Sequence, residues 1–213
     1  MKKSFTSFLL GAIAGDVIGS VYEFTEQKEY DFPLFRKASQ VTDDSVLTIA
    51  VANAILKRRS YLDCIREYAL AYPQMSYGSN FREWMHSGDP KPYNSFGNGS
   101  AMRVSAVGWA FETVEEVLSE AERSAAVTHN HPEGIKGAQA TAICVYLART
   151  GHSRESIKQE VQARFGYDLE RTLDDIRPSY KFNEICQTTV PEAITAFLES
   201  QDYEDAILSL IHI

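Results

Sequence analysis

Apolar positions recur at intervals of three and four along most of the chain, and no run alternates with period two, so the pattern predicts an all-α protein. The clearest run follows Val41-Thr42-Asp43-Asp44-Ser45. It carries Val46, Leu47, Ile49, Val51, Ile55 and Leu56, and it ends near Arg59, where Lys57, Arg58 and Arg59 favour a helix C-terminus. Ahead of it, residues 5–22 read as a helix with Gly11, Gly15 and Gly19 at spacing four. Each glycine costs roughly 1 kcal/mol against alanine in a helix. Close packing against another helix, or a ligand against the backbone, must compensate.

Further helices are predicted over 61–71, stopped by Pro73, and from Val114 to about Ala126, opened by the capping-box spacing of Thr113 and Glu116. Another, rich in small residues, spans about Glu133 to Ala148, and Ser153 opens one that reaches about Phe165. A short piece falls between Leu169 and Asp175. Thr189 and Glu192 repeat the capping-box spacing, with Pro191 in a first turn that tolerates it, and a last helix begins near Tyr203. Two long loops separate these runs, 25–40 and 73–97, the second with a possible helical turn at 81–85. Loops of that length inside a domain are usually functional.

At 213 residues and 44% hydrophobic content, the chain suits one packed domain. Its net charge of −8 and pI near 5.2, with Lys and Arg scattered, lack the basic face of a duplex nucleic-acid binder. Cys64, Cys144 and Cys186 are odd in number, far apart and in apolar helical contexts, which reads as buried thiols of a cytoplasmic protein. Met1-Lys2-Lys3 followed by an apolar run imitates a secretion signal, but Asp16 interrupts it and no cleavage site follows. Nothing approaches the roughly 20 apolar residues of a membrane span.

Several polar stretches could carry chemistry. Thr42, Asp43 and Asp44 place a hydroxyl and two carboxylates at a helix start, either as a cap that also complements the helix dipole or as hard ligands for a metal. Asp16 and Glu23 stand near the end of the first helix, where a solvated acid and a chain-exit acid are the simpler readings. Gly97-Asn98-Gly99-Ser100 precedes a helical run, and it is either an Asn-Gly turn or a backbone site that a phosphate can approach. His129 and His131 sit at a helix boundary. Without a nearby third His or a Cys they are poor zinc ligands and better turn residues.

In order and separation, Gly15-Asp16-Val17-Ile18-Gly19-Ser20-Val21-Tyr22-Glu23, Thr42-Asp43-Asp44-Ser45, Gly97-Asn98-Gly99-Ser100-Ala101-Met102-Arg103 and Thr128-His129-Asn130-His131-Pro132 resemble the ADP-ribosylglycohydrolase family over about residues 5–207. The resemblance implies an all-α domain with two metal ions, usually magnesium, at the base of a cleft. It implies cleavage of the bond between the distal ribose of ADP-ribose and an acceptor, often a protein side chain. Thr42, Asp43 and Asp44 would be metal ligands, and Glu23 would ligate metal or assist water. Gly97, Asn98, Gly99 and Ser100 would hold the diphosphate, His129 would line the cleft, and Asp16 would join the acidic basin. A non-catalytic ADP-ribose-binding protein and a helical structural protein are the alternatives.

The family's second acidic motif, Gly-Asp-x-Asp-Thr near the C-terminus, is absent from this sequence. The second metal is therefore expected to be lost, the first weakened, turnover impaired and the last helices of the fold missing. The ending Leu208-Ser209-Leu210-Ile211-His212-Ile213 is the translation of a transposon end used in sequencing libraries. The domain is accordingly expected to span 1–207, with 208–213 a non-native tail and the natural protein longer.

Overall fold

The computed structural model describes residues 5–25 and 29–213, with side chains from Leu9 onward. Lys2 and Lys3 of the signal-like start, and residues 26–28 of the first expected loop, lie outside the described residues. The all-α expectation holds: the described residues form eleven α-helices and no strand. They are α1 (Phe5–Gly19), α2 (Asp43–Lys57), α3 (Tyr61–Ala71), α4 (Ser79–His86), α5 (Ser105–Ala110), α6 (Val114–Ala125), α7 (Pro132–Thr150), α8 (Arg154–Phe165), α9 (Leu173–Ile176), α10 (Cys186–Glu199) and α11 (Tyr203–Ile211).

Most boundaries follow from caps. The Thr42 hydroxyl accepts the Asp44 N–H at the start of α2, and the helix stops where Arg58 turns left-handed at φ 52°. Thr113 and Glu116 form the expected capping box of α6. His131 caps α7 through Nδ1, which accepts the Glu133 N–H, with Pro132 in the first turn.

Four expectations need correction. The first helix ends at Gly19 rather than 22, because Tyr22 and Glu23 both donate back to the Gly19 carbonyl in a turn. The turn foreseen at 81–85 is the two-turn α4, held by buried Phe81, Trp84 and Met85. The piece between 169 and 175 shrinks to α9, which Thr172 and Asp175 cap reciprocally.

The fourth correction concerns Thr189. Helix α10 begins at Cys186, so Pro191 lies beyond the first turn, and the Thr189 hydroxyl donates back to the Ile185 carbonyl at 2.9 Å instead of capping. An external constraint overrides the local signal. The Asn98 N–H donates to the Glu184 carbonyl at 2.7 Å and the Cys186 N–H to the Phe96 carbonyl at 3.0 Å, so the chain is already committed before Thr189.

Helix α7 is the centre of the core, with α5, α6, α8 and α10 packed around it. Its small residues permit this. A Cβ on Gly137 would stand 2.5 Å from the Cys186 Sγ of α10. The glycine face of α1 is used in part as foreseen: α11 lays Tyr203 over Gly11 and Ile207 over Gly15, whereas Gly19 has open space beside it. The Tyr203 hydroxyl donates to the Gly11 carbonyl at 2.6 Å. Leu208 to Ile211 continue α11. Cys64 and Cys186 are buried and Cys144 half-buried, all as free thiols. Among the described residues no helix is long and apolar enough to cross a membrane.

Candidate active site

A cleft of about 1230 Å³ runs between the C-terminal half of α1, the start of α2, the Gly97–Ser100 turn and the start of α10. Its lining includes an acidic wall of Asp16, Glu23, Asp43, Asp44 and Thr42 and a glycine wall of Gly97, Gly99 and His129. Residues from all four sequence motifs therefore share one cavity.

On the acidic wall, the Asp16 carboxylate accepts the backbone N–H of Thr42 at 2.9 Å and of Ser45 at 3.2 Å, together with both of their hydroxyls. Asp16 thus lines the cleft among the other acids and also clamps α1 to the start of α2. Thr42 has two duties. Its hydroxyl caps α2 and gives its proton to Asp16, which leaves the more distant Asp44 oxygen, at 3.4 Å, without a good donor.

The remaining carboxylates crowd one another. Burial, followed by the charges of Asp43, Asp16 and Glu23, pushes the Asp44 carboxyl up to about 7. Burial chiefly, with Asp16 behind it, also raises Asp43, although a backbone hydrogen bond, the Ser76 side chain and then the Arg82 guanidinium work the other way. Glu23 sits on the turn after α1, and its carboxyl is raised by burial first and then by Asp43, Glu184 and Asp16. Such a wall holds protons in place of countercharge.

A hard divalent cation suits this donor set, because it prefers carboxylate and hydroxyl oxygens and would relieve the repulsion that lifts Asp44. Thr42, Asp43 and Asp44 are the residues that would hold it, with Glu23 close enough to feel the Asp43 charge. Among the described residues no three carboxylate, imidazole or thiol groups converge on one point. The fit rests on donor chemistry and charge, and magnesium tolerates a small protein share because it keeps several waters.

The glycine wall is closely knit. Gly97 N–H donates to Ser95 Oγ at 3.2 Å and Asn98 N–H to the Glu184 carbonyl, so these two amides are not open donors as the phosphate reading assumed. The Ser100 side chain is fully buried and its hydroxyl donates to the Gly134 carbonyl at 2.7 Å, away from any ligand. Asn98 Nδ2 donates to Thr189 Oγ1 at 3.2 Å. What the turn offers the cleft is shape: Gly99 lies directly beneath the His129 ring, and a Cβ there would approach Nε2 to 3.1 Å. His131 stays outside this wall, capping α7 and meeting the Phe96 ring edge-on.

Three contributors escaped the sequence reading as functional residues. Arg103 is fully buried behind His129, Glu184 supplies both a carbonyl to Asn98 and a charge to Glu23, and Tyr93 packs its ring 6.1 Å from that of His129. Arg103 carried a signal, a single charge within the apolar stretch Ala101 to Ala110. The other two had none, since only the fold brings residues 93 and 184 to the turn.

The sequence model described as ADP-ribosylglycohydrolase matches residues 2–213. The chain is 28% identical to "ADP-ribosylhydrolase ARH3" of Mus musculus over 184 residues, covering 70% of this chain and 50% of that protein. Against the protein of the same name from Homo sapiens it is 28% identical over 187 residues, covering 70% and 51%. It therefore spans about half the length of these curated relatives. A solved structure titled "ADP-ribosylglycohydrolase-related protein complex" shares the fold, with a TM-score of 0.73, 21% identity, and coverage of 98% of this chain and 80% of that one.

Proposed function

Because the chain belongs to the ADP-ribosylglycohydrolase family, we propose that its cleft binds ADP-ribose and serves hydrolysis of the bond between the distal ribose and an acceptor, in a cytoplasmic protein. The observation that carries this reading is the pairing of an undercompensated oxygen wall with a glycine turn and imidazole across one cavity. A cation at Thr42, Asp43 and Asp44, of which a complete family member would hold two magnesium ions, would orient ribose hydroxyls and acidify water.

The protein's own residues supply the rest. Departure of the acceptor builds positive charge on the ribose ring, and the neighbouring carboxylates of the acidic wall stabilise it. Glu23 would take a proton from the attacking water. Its raised carboxyl moves it toward neutrality, where a general base is most effective while still ionised. Asp16 holds the start of α2 in place through Thr42 and Ser45. Across the cleft, Gly99 lets the diphosphate approach His129.

Since the Gly-Asp-x-Asp-Thr motif is absent from these 213 residues, we expect weak turnover from this polypeptide and place the decisive test on binding. Titration calorimetry with ADP-ribose, with and without magnesium, is expected to show binding that magnesium strengthens and that Asp43→Ala or Asp44→Ala uncouples from the metal. Binding indifferent to magnesium would favour a non-catalytic ADP-ribose module. No binding at all would leave a structural helical protein. The acceptor would be read by the loops 25–40 and 73–96, whose sequences do not specify it.

A further inference from the structure

Behind the glycine turn lies a buried polar chain that the proposed hydrolysis does not use. Arg103 is fully buried, and its Nη2 donates to Thr128 Oγ1 at 2.9 Å and to the Ser124 carbonyl at 3.2 Å. No carboxylate pairs with it among the described residues, and its Nε and Nη1 have no partner. Thr128, also fully buried, stands 2.7 Å from His129 Nδ1. His129 Nε2 lies against Gly99 and Gly97 at the cleft.

We propose that Arg103 and Thr128 are positioning residues that lock His129 as the neutral imidazole with its proton on Nε2, so that the cleft offers an uncharged hydrogen-bond donor beside Gly97 and Gly99. The direction of each bond follows from the donor inventory. A guanidinium has no lone pair to offer, so Thr128 Oγ1 must accept from Arg103. The hydroxyl has one proton, and in this buried place the acceptor within reach is Nδ1. Were Nδ1 protonated, Thr128 would accept twice and bury its own proton without a partner. A neutral imidazole that accepts at Nδ1 carries its proton on Nε2.

Charge acts in the same direction. The titratable groups that face the ring are Arg103 from the segment after the turn and Tyr93 from the loop before it, and His131 is turned away toward Phe96. Burial, then the Arg103 charge, hold the imidazole down to about 3, while burial brings Arg103 only to about 10, so it remains a cation at neutral pH. Burial first, and then the arginine behind it, keep an imidazolium out of the site at neutral pH. For a diphosphate this gives a donor whose strength does not change with pH, and a ligand can leave without separating from a full positive charge. The proposed partner of Nε2 rests on the ADP-ribose reading above; the tautomer does not.

The test is a long-range ¹H–¹⁵N correlation spectrum of the imidazoles in the full chain at pH 7, with His129 assigned by its loss in His129→Gln. The expected spectrum has an unprotonated Nδ1 and a protonated Nε2. Thr128→Val and Arg103→Met should relax it toward a tautomer mixture, and Thr128→Ser should restore it. In calorimetry with ADP-ribose, Thr128→Val should weaken binding by about tenfold, the scale of one hydrogen bond, with Thr128→Ser recovering it. A protonated Nδ1 in the wild type, which requires no variant to fold, overturns the relay, as does an unchanged spectrum in Thr128→Val. A wild-type spectrum showing Nε2–H together with no ADP-ribose binding upholds the relay and removes the proposed function instead.

Discussion

The two walls of the cleft are built on opposite principles. On the acidic wall burial raises the carboxyls of Asp43, Asp44 and Glu23, and the charge of Asp16, which also clamps α2, adds to all three. On the glycine wall several donors already have acceptors within the wall: Gly97 on Ser95, Asn98 on Glu184 and Thr189, and the Ser100 hydroxyl on Gly134. One wall is electrostatically undercompensated, a condition that a bound cation would relieve. The other is rigid before any ligand arrives, which lowers the ordering cost of binding.

The sharpest way to break this contrast is to supply the cation. A ligand that binds only the native state stabilises it by about 2.7 kcal/mol at a hundred times its dissociation constant. Urea denaturation at pH 8 is therefore expected to show magnesium raising wild-type stability by that order, with the gain lost in Asp44→Asn and kept in Thr189→Val. An Asp44→Asn protein that responds to magnesium like the wild type would remove the acidic wall from metal binding.

Next in size is the effect of pH on the metal-free protein, where the walls should oppose each other. Asp44 is raised to about 7 in the folded chain, so the native state holds its proton more tightly than the unfolded state. Its contribution is present in full below the ordinary aspartate range and is lost as pH rises through about 7. His129 is lowered to about 3, so the unfolded state takes up the proton first and stability falls as pH drops below about 6.5. Between about pH 4 and 6.5 the two slopes cancel in part. Asp44→Asn should expose the acid-side loss, and His129→Gln should leave stability rising on acidification, each by an amount on the order of 1–2 kcal/mol. Parallel profiles for the two variants would show that the walls do not differ in this way.

The same contrast explains what could be read in the sequence. The acidic wall was visible because its parts are contiguous and chemically loud: Thr42, Asp43 and Asp44 open a helix, and a capping residue and a metal ligand make the same demand at that position. Helices α3, α6 and α8 were legible for a related reason, since their caps and periodicity are local. The glycine wall is assembled from residues 93–100, 128–134 and 184–189, and no local pattern reports that Ile185 bridges Gly97. That pairing is also why the start of α10 was misplaced. Asp16 was seen as an acid, but its role depends on the approach of α1 to α2, which periodicity cannot supply.

A smaller effect separates shape from charge on the glycine wall. Gly99→Ala would put a Cβ at 3.1 Å from His129 Nε2 and 3.2 Å from Cε1, so the ring must move by a few tenths of an ångström. Chain stability should fall by less than about 1 kcal/mol, since the ring edge borders the cleft, while ADP-ribose affinity drops about three- to tenfold. Calorimetry alongside thermal unfolding checks both. Unchanged affinity would place the ligand away from this turn.

The smallest effect asks where the rigidity of that wall resides. The Asn98 side chain donates to Thr189 at 3.2 Å, but the Thr189 hydroxyl proton is already committed to the Ile185 carbonyl within α10. The turn is tied to α10 independently by backbone bonds from Asn98 to Glu184 and from Cys186 to Phe96. Thr189→Val keeps the shape of the side chain and removes only the hydroxyl, and the half-buried Asn98 amide can turn toward the cleft and water. A loss of about 0.5 kcal/mol is expected, at the low end for a hydrogen bond, with no change in the magnesium response. A loss above about 1.5 kcal/mol in urea denaturation would mean that side chains, rather than the backbone pairing of residues 96–98 with 184–186, hold the turn in place. The glycine wall would then depend on a few polar groups rather than on its backbone pairing.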